Sequence, residues 1–179
     1  MRQPDAALAS IAQAPAWLTN LWPSSRQPVT LLRGQALALK GEAGLAREAF
    51  LQAQQALEAL LKEPREQADA ESFLAFVYAG LGQKSMALDA GRRATALLPP
   101  SQDVIVGGFY LAHLAAVEAQ VGEMPSALNH IEELLAMPAG HVLSTASLRF
   151  DPAWDPLRSD PRFKALLVKY SAAGRAPAR

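Results

Sequence analysis

Small and large residues alternate in a fixed way along residues 68–100, QADAESFLAFVYAGLGQKSMALDAGRRATALLP. The pattern predicts two antiparallel helices joined at Gly82. Helix axes approach to roughly 8–10 Å only where side chains are small, so Ala75, Ala87 and Ala94 mark the crossings. Leu74 and Tyr78 fill the space between them. Gly82 suits the left-handed conformation that ends a helix, and Pro99 cannot continue one. The pattern returns 41 positions earlier, at Gly34, Leu37, Gly41, Ala46, Phe50 and Ala53. It returns again 40 positions later, at Leu114, Ala115, Gly122, Ala127, Ile131 and Leu134, with Pro138 near the closing position and Glu118 as a weak match. The chain therefore reads as all-α, with hairpins over Val29–Lys62, Gln67–Leu98 and Ser101–Met137.

Outside residues 29–140 the pattern changes. Residues 5–14 read as a short helix, with Asp5 as its cap and Leu8, Ile11 and Ala12 on one face. Pro15 ends it. Trp17, Leu18, Leu21 and Trp22 precede the breaker run PSSRQP, so residues 1–28 are expected to be a helix and a flexible lead-in. Its tryptophans either cap the first hairpin or serve as docking anchors. Residues 141–172 predict capping helices, one from about Val142 to Arg149. The other runs from Pro161 to about Tyr170, with Asp160 as N-cap and Leu166, Leu167 and Tyr170 as its buried stripe. Residues 173–179 are expected to fray.

Composition narrows the function classes. A chain of 179 residues with an apolar fraction of 50% can bury a sizeable core. Its formal net charge of zero argues against a phosphate-binding surface. The adjacent Arg92 and Arg93 read as a solvated helix face. There is no cysteine, so no disulfide or thiolate chemistry. No apolar run reaches the roughly 18 residues of a spanning helix. The N-terminus has no continuous apolar segment of the signal-peptide kind, so the expected setting is the cytoplasm, without membrane insertion.

Candidate chemistry is sparse. His113, His130 and His141 lack metal-ligand spacing, although His113 and His130 lie on the two helices of one hairpin and could approach each other. Asp151, Asp155 and Asp160 each precede a proline, as a helix cap does, and Arg149, Arg158 and Arg162 are near enough to neutralise them. Gly107-Gly108 is too little for a phosphate cradle, and no nucleophile elbow or nucleotide loop is present. The expectation is a non-enzyme with no cofactor and no metal.

The hairpin pattern resembles the tetratricopeptide repeat, departing from it where Glu71 and Gly91 replace bulky residues. Its period exceeds the standard length of about 34 residues. The excess is assigned to a long second helix ending at Pro64 and to SQDVIVGG, read as a Ser101-capped extension. Together with LRFDPAWDPLRSDPRFKALL, the chain over about residues 29–170 is similar to bacterial tetratricopeptide regions. Those regions are attached to serine/threonine kinases, cyclase-like proteins and winged-helix regulators. The resemblance implies a right-handed superhelix of three hairpins with terminal capping helices, acting as a sensory or scaffolding module.

In that repeat class the first helices line a concave face. The inward positions here are Leu31, Gln35, Ser72, Phe73, Phe76, Phe109, Ala112, His113 and Ala116. Chaperone-binding relatives place Lys, Asn and Arg at such positions to clamp a carboxylate. Here only His113 could carry positive charge, so no clamp is expected. The candidate groove, Leu31, Gln35, Ser72, Phe73, Phe76, Phe109 and His113, is apolar and aromatic. It suits an amphipathic or extended peptide of a protein partner, or alternatively a small apolar ligand.

Overall fold

A computed structural model describes residues 4–21, 24–137 and 142–171. The described chain is mostly helical. After α1 (Pro4–Ala12) come two short strands, β1 (Trp17–Leu21) and β2 (Ser24–Pro28). Then α2 (Val29–Lys40) pairs with α3 (Ala43–Leu60), α4 (Gln67–Gly80) with α5 (Lys84–Leu97), and α6 (Val106–Gln120) with α7 (Met124–Ala136). The tail forms α8 (Thr145–Phe150), a 3-10 helix over Pro152–Leu157, and α9 (Pro161–Lys169).

The three hairpins turn where the spacing predicts. Gly41, Gly82 and Gly122 take φ of 87°, 75° and 88°, a conformation that costs a side-chain-bearing residue. Their backbone N–H groups donate to carbonyls at the ends of α2, α4 and α6, closing each helix. The helices then stack in sequence, α4 packing against α2, α3, α5 and α6. Ala53, Ala75, Ala87, Ala94, Ala115 and Ala127 are all fully buried, as residues at close crossings must be.

Both departures from the repeat pattern have a packing cause. A Cβ at Gly91 would lie 2.8 Å from Leu114 Cδ1, so Leu114 occupies the space of the usual bulky residue. Glu71 is 8% exposed and accepts two bonds from Arg93 of α5, Nε at 2.7 Å and Nη2 at 2.8 Å. An ion pair thus replaces an apolar anchor. Arg93 is not merely part of a solvated face, whereas Arg92 meets Asp89 at the surface, 3.6 Å away.

The ends differ from expectation. Where a flexible lead-in is expected, residues 17–21 and 24–28 form β1 and β2, an antiparallel pair in which Trp17 faces Pro28. Trp17 is partly buried against the first core cluster, with the Arg26 guanidinium 5.1 Å above its ring. Trp22, Pro138 and His141 lie outside the described residues. Ser101 does not cap α6; Asp103 does, its carboxylate accepting from Ile105 and Val106 N–H. Helix α8 begins at Thr145 rather than near 142, set by a Ser144–Ser147 capping box. Asp160 caps α9 as its spacing predicts, accepting from Arg162 and Phe163 N–H. In α9, Leu166 is buried and Leu167 and Tyr170 partly so, while Phe163, 1% exposed, is its deepest residue. The core divides into two clusters, one centred on α2 to α4 and one on α6, α7 and the tail. Phe76 touches both. Among the described residues no helix is long and apolar enough to cross a membrane.

Candidate functional site

Phe76 stands at one wall of a cleft of about 330 Å³. On α6 the residues Phe109, Ala112, His113 and Ala116 recur at the spacing that places side chains on one helix face, and all four line the cleft. Helix α4 adds Phe73 and Phe76, α2 adds Gln35, and β2 adds Gln27. The opposite wall comes from the tail: Val142, Leu143, Ser147, Asp151, Ala153 and Trp154. The tail lies on α6 through its 3-10 helix and on α7 through α9, so it covers the last hairpin and also borders the cleft that α2 and α4 share.

His113 is the polar centre of this wall. Its Nδ1 is hydrogen-bonded to Ser72 Oγ at 2.7 Å. Its ring lies 5.1 Å from Phe76, edge to face, and 5.7 Å from Phe73, tilted. Burial lowers its pKa to about 4, because the charged form loses its hydration. The imidazole is therefore neutral near pH 7, and the positive charge the sequence allowed for is not present there.

A second polar pair braces the same two helices from behind. Tyr110 Oη donates to Asp69 Oδ1 at 2.7 Å, and both side chains are buried. Burial raises the Asp69 carboxyl, and the Tyr110 hydrogen bond opposes the rise. The Tyr110 hydroxyl is pushed well above the usual phenol range, first by burial and then by Asp69. Ser72–His113 and Asp69–Tyr110 both span 41 residues, so each joins one repeat to the next.

Of the predicted groove residues, Gln35, Phe73, Phe76, Phe109 and His113 meet at the cleft. Leu31 does not: it is fully buried in the first core cluster, because its place on α2 faces α3 and α4. Ser72 is 1% exposed and holds His113 from behind instead of lining the cleft. The tail wall and Gln27 had not been assigned to the groove. Their only sequence signal is the apolar series Leu143, Leu148, Trp154 and Leu157, all buried, which fits no single helical period.

Ser72 is inaccessible, and a histidine whose pKa is near 4 is a weak base at neutral pH. His113 and His130 bond to different partners, Ser72 and Glu118. His130 pairs with the buried Glu118 at 2.8 Å, and that bond raises its pKa. Asp151 accepts from Ala153 N–H as a local cap, and Arg158 Nε donates to Asp155. Arg162 pairs with Glu132 rather than with an aspartate of the tail. Among the described residues no three His, Cys, Asp or Glu side chains converge to hold a metal. A second cavity of about 310 Å³ lies at the other end, lined by Ala38, Arg47, Phe50, Gly80 and neighbours. No protein-family model, curated protein or solved structure matches this chain.

Proposed function

We propose that the protein is a non-enzymatic binding module built as a right-handed, tetratricopeptide-like superhelix, and that its cleft takes a small, largely apolar ligand. The carrying observation is the tail. Residues within 142–154 line one side of a cavity of about 330 Å³. That is the small end of the range for ligand pockets, roughly 300–1,000 Å³. A docked helix about 10–12 Å across needs a longer, open groove. Thermal unfolding against a metabolite library tests this. A ligand at about 100 times its Kd raises Tm by roughly 5–10 °C, and the rise should shrink in Phe109→Leu. No shift with any compound, alongside a protein captured by the native chain and lost with Phe76→Ala/Phe109→Ala, overturns it.

A second reading is a scaffold for a peptide or partner protein, as the regulatory part of a larger signalling protein. Phe150 favours it. This ring is 81% exposed beside the tail wall, and exposed aromatics are frequent anchors at interfaces. Loss of partner capture in Phe150→Ala, with Tm unchanged, separates this surface from the cleft.

A further inference from the structure

The cleft gathers aromatic rings out of proportion to the chain. Of six phenylalanines and three tryptophans, Phe73, Phe76, Phe109 and Trp154 border this one cavity, with His113 among them. They come from α4, α6 and the tail, so rings border the cleft on three sides; Phe76 and Phe109 are partly exposed there, whereas Phe73 and Trp154 are buried. The face of an aromatic ring carries negative potential and attracts a cation within roughly 6 Å of its centroid.

The charges agree. No Lys or Arg lines the cleft among the described residues; the one acidic side chain there is Asp151, an exposed residue at its edge. Its Oδ1 accepts from Ala153 N–H at 2.9 Å, and no described Lys or Arg pairs with the carboxylate. The Arg158 guanidinium bonds Asp151 at its backbone carbonyl and not at its carboxylate. Its Nε donates to Asp155 Oδ1 at 2.7 Å, and its other nitrogens donate to the backbone carbonyls of Leu148, Arg149 and Asp151. His113, held neutral, adds no opposing charge. An anionic ligand would find a carboxylate and no counter-charge. A primary ammonium must bring three N–H groups to the side-chain acceptors here, those of Gln27, Gln35 and Asp151. A fully alkylated ammonium has no N–H to satisfy, and its methyl groups suit an apolar wall.

We propose that the cleft between α4, α6 and the tail binds a small organic cation with a quaternary ammonium head, seated among the aromatic rings with Asp151 at its side. This rests on the small-ligand reading above and specifies the chemistry of the ligand. The cavity holds such a head with a short chain, and Gln27 and Gln35 line it for a polar atom on that chain.

Isothermal titration of the full chain with acetylcholine, and with the uncharged ester in which carbon replaces its quaternary nitrogen, isolates the charge at constant shape. The charged ester should bind roughly tenfold tighter or more. Phe109→Leu keeps apolar bulk but removes a ring. Asp151→Asn keeps an oxygen for the Ala153 N–H but removes the charge. Each should weaken the charged ester about five- to tenfold, leave the uncharged one unchanged, and leave Tm within a few degrees. Equal affinity for both esters overturns the cation proposal while the small-ligand reading stands. Binding of neither ester overturns it too, and hits in the library screen then decide the broader reading separately. Capture of a trimethyllysine peptide in place of the free ester overturns the choice of a small molecule.

Discussion

Two cavities of nearly equal volume, about 310 and 330 Å³, use aromatic side chains in opposite ways. In the first, the Phe50 ring is wedged between helices. A Cβ at Gly34 would stand 2.7 Å from the ring, and one at Gly80 only 2.5 Å. Those glycines are there to let α2 and α4 close on the ring, and Phe50 is 3% exposed. The cavity beside it is the dent left by that crossing, and its one charge, Arg47, is on the rim side. In the second, Phe76 and Phe109 are only partly buried and face open space. Volume alone does not distinguish them. What differs is that Phe50 is buried, whereas Phe76 and Phe109 keep part of their surface on the cleft.

The comparison breaks most readily at Phe50. Phe50→Ala should cost about 3–5 kcal/mol of stability in urea unfolding, whereas Phe109→Leu should cost less than about 1.5 kcal/mol. Similar costs at the two positions would mean that both cavities are packing defects. Tyr110→Phe, behind the second cavity, should cost about 1–3 kcal/mol, because the buried Asp69 carboxylate loses its donor. It should also loosen the ends of α4 and α6, seen as faster amide exchange there.

The smallest effect at neutral pH belongs to His113, and it grows in acid. Its folded pKa, about 4, lies below the ordinary 6.5. Between those values the unfolded chain takes up a proton that the folded chain refuses, so His113 lowers stability progressively as pH falls from about 6.5 to about 4. His130 has the opposite sign: its raised pKa adds stability that is complete below its ordinary value and is lost as pH rises through the raised one. Asp69, raised by burial, also favours the folded state in acid. The difference in urea midpoint between the native chain and His113→Phe isolates the first term. A difference that stays constant across that window would show that the imidazole titrates as in water.

The hairpins were legible in the sequence because their signals are local and repeated. A glycine with positive φ, alanines at crossings and a Pro-bearing helix start each act within one or two turns of the chain. The groove was half legible. Phe109 and His113 share a face by helical spacing alone, but whether α2 turns Leu31 or Gln35 toward the groove depends on how α3 and α4 pack. The β1–β2 pair was missed because the Trp and Thr of WLTNL favour a strand but its partner SSRQP carries little strand propensity, and Trp17 packs against the helical core. The tail wall was missed for a related reason. Trp154 reaches α6 across about 40 residues of chain, and no periodicity in DPAWDPL points to that neighbour.

The tail also alters how the fold comes apart. Hairpins in a simple stack touch only their neighbours, so such a stack can fray from either end one unit at a time. Here one cavity is bordered by Gln27 near one end of the array and by Trp154 near the other. The tail acts as a clasp. Its release opens the cavity and removes the wall over α6 in one event, and the cavity is finished only when residues near 154 have docked. A molecule held there would bind the early and late parts of the chain together, turning a row of separable units into one cooperative body.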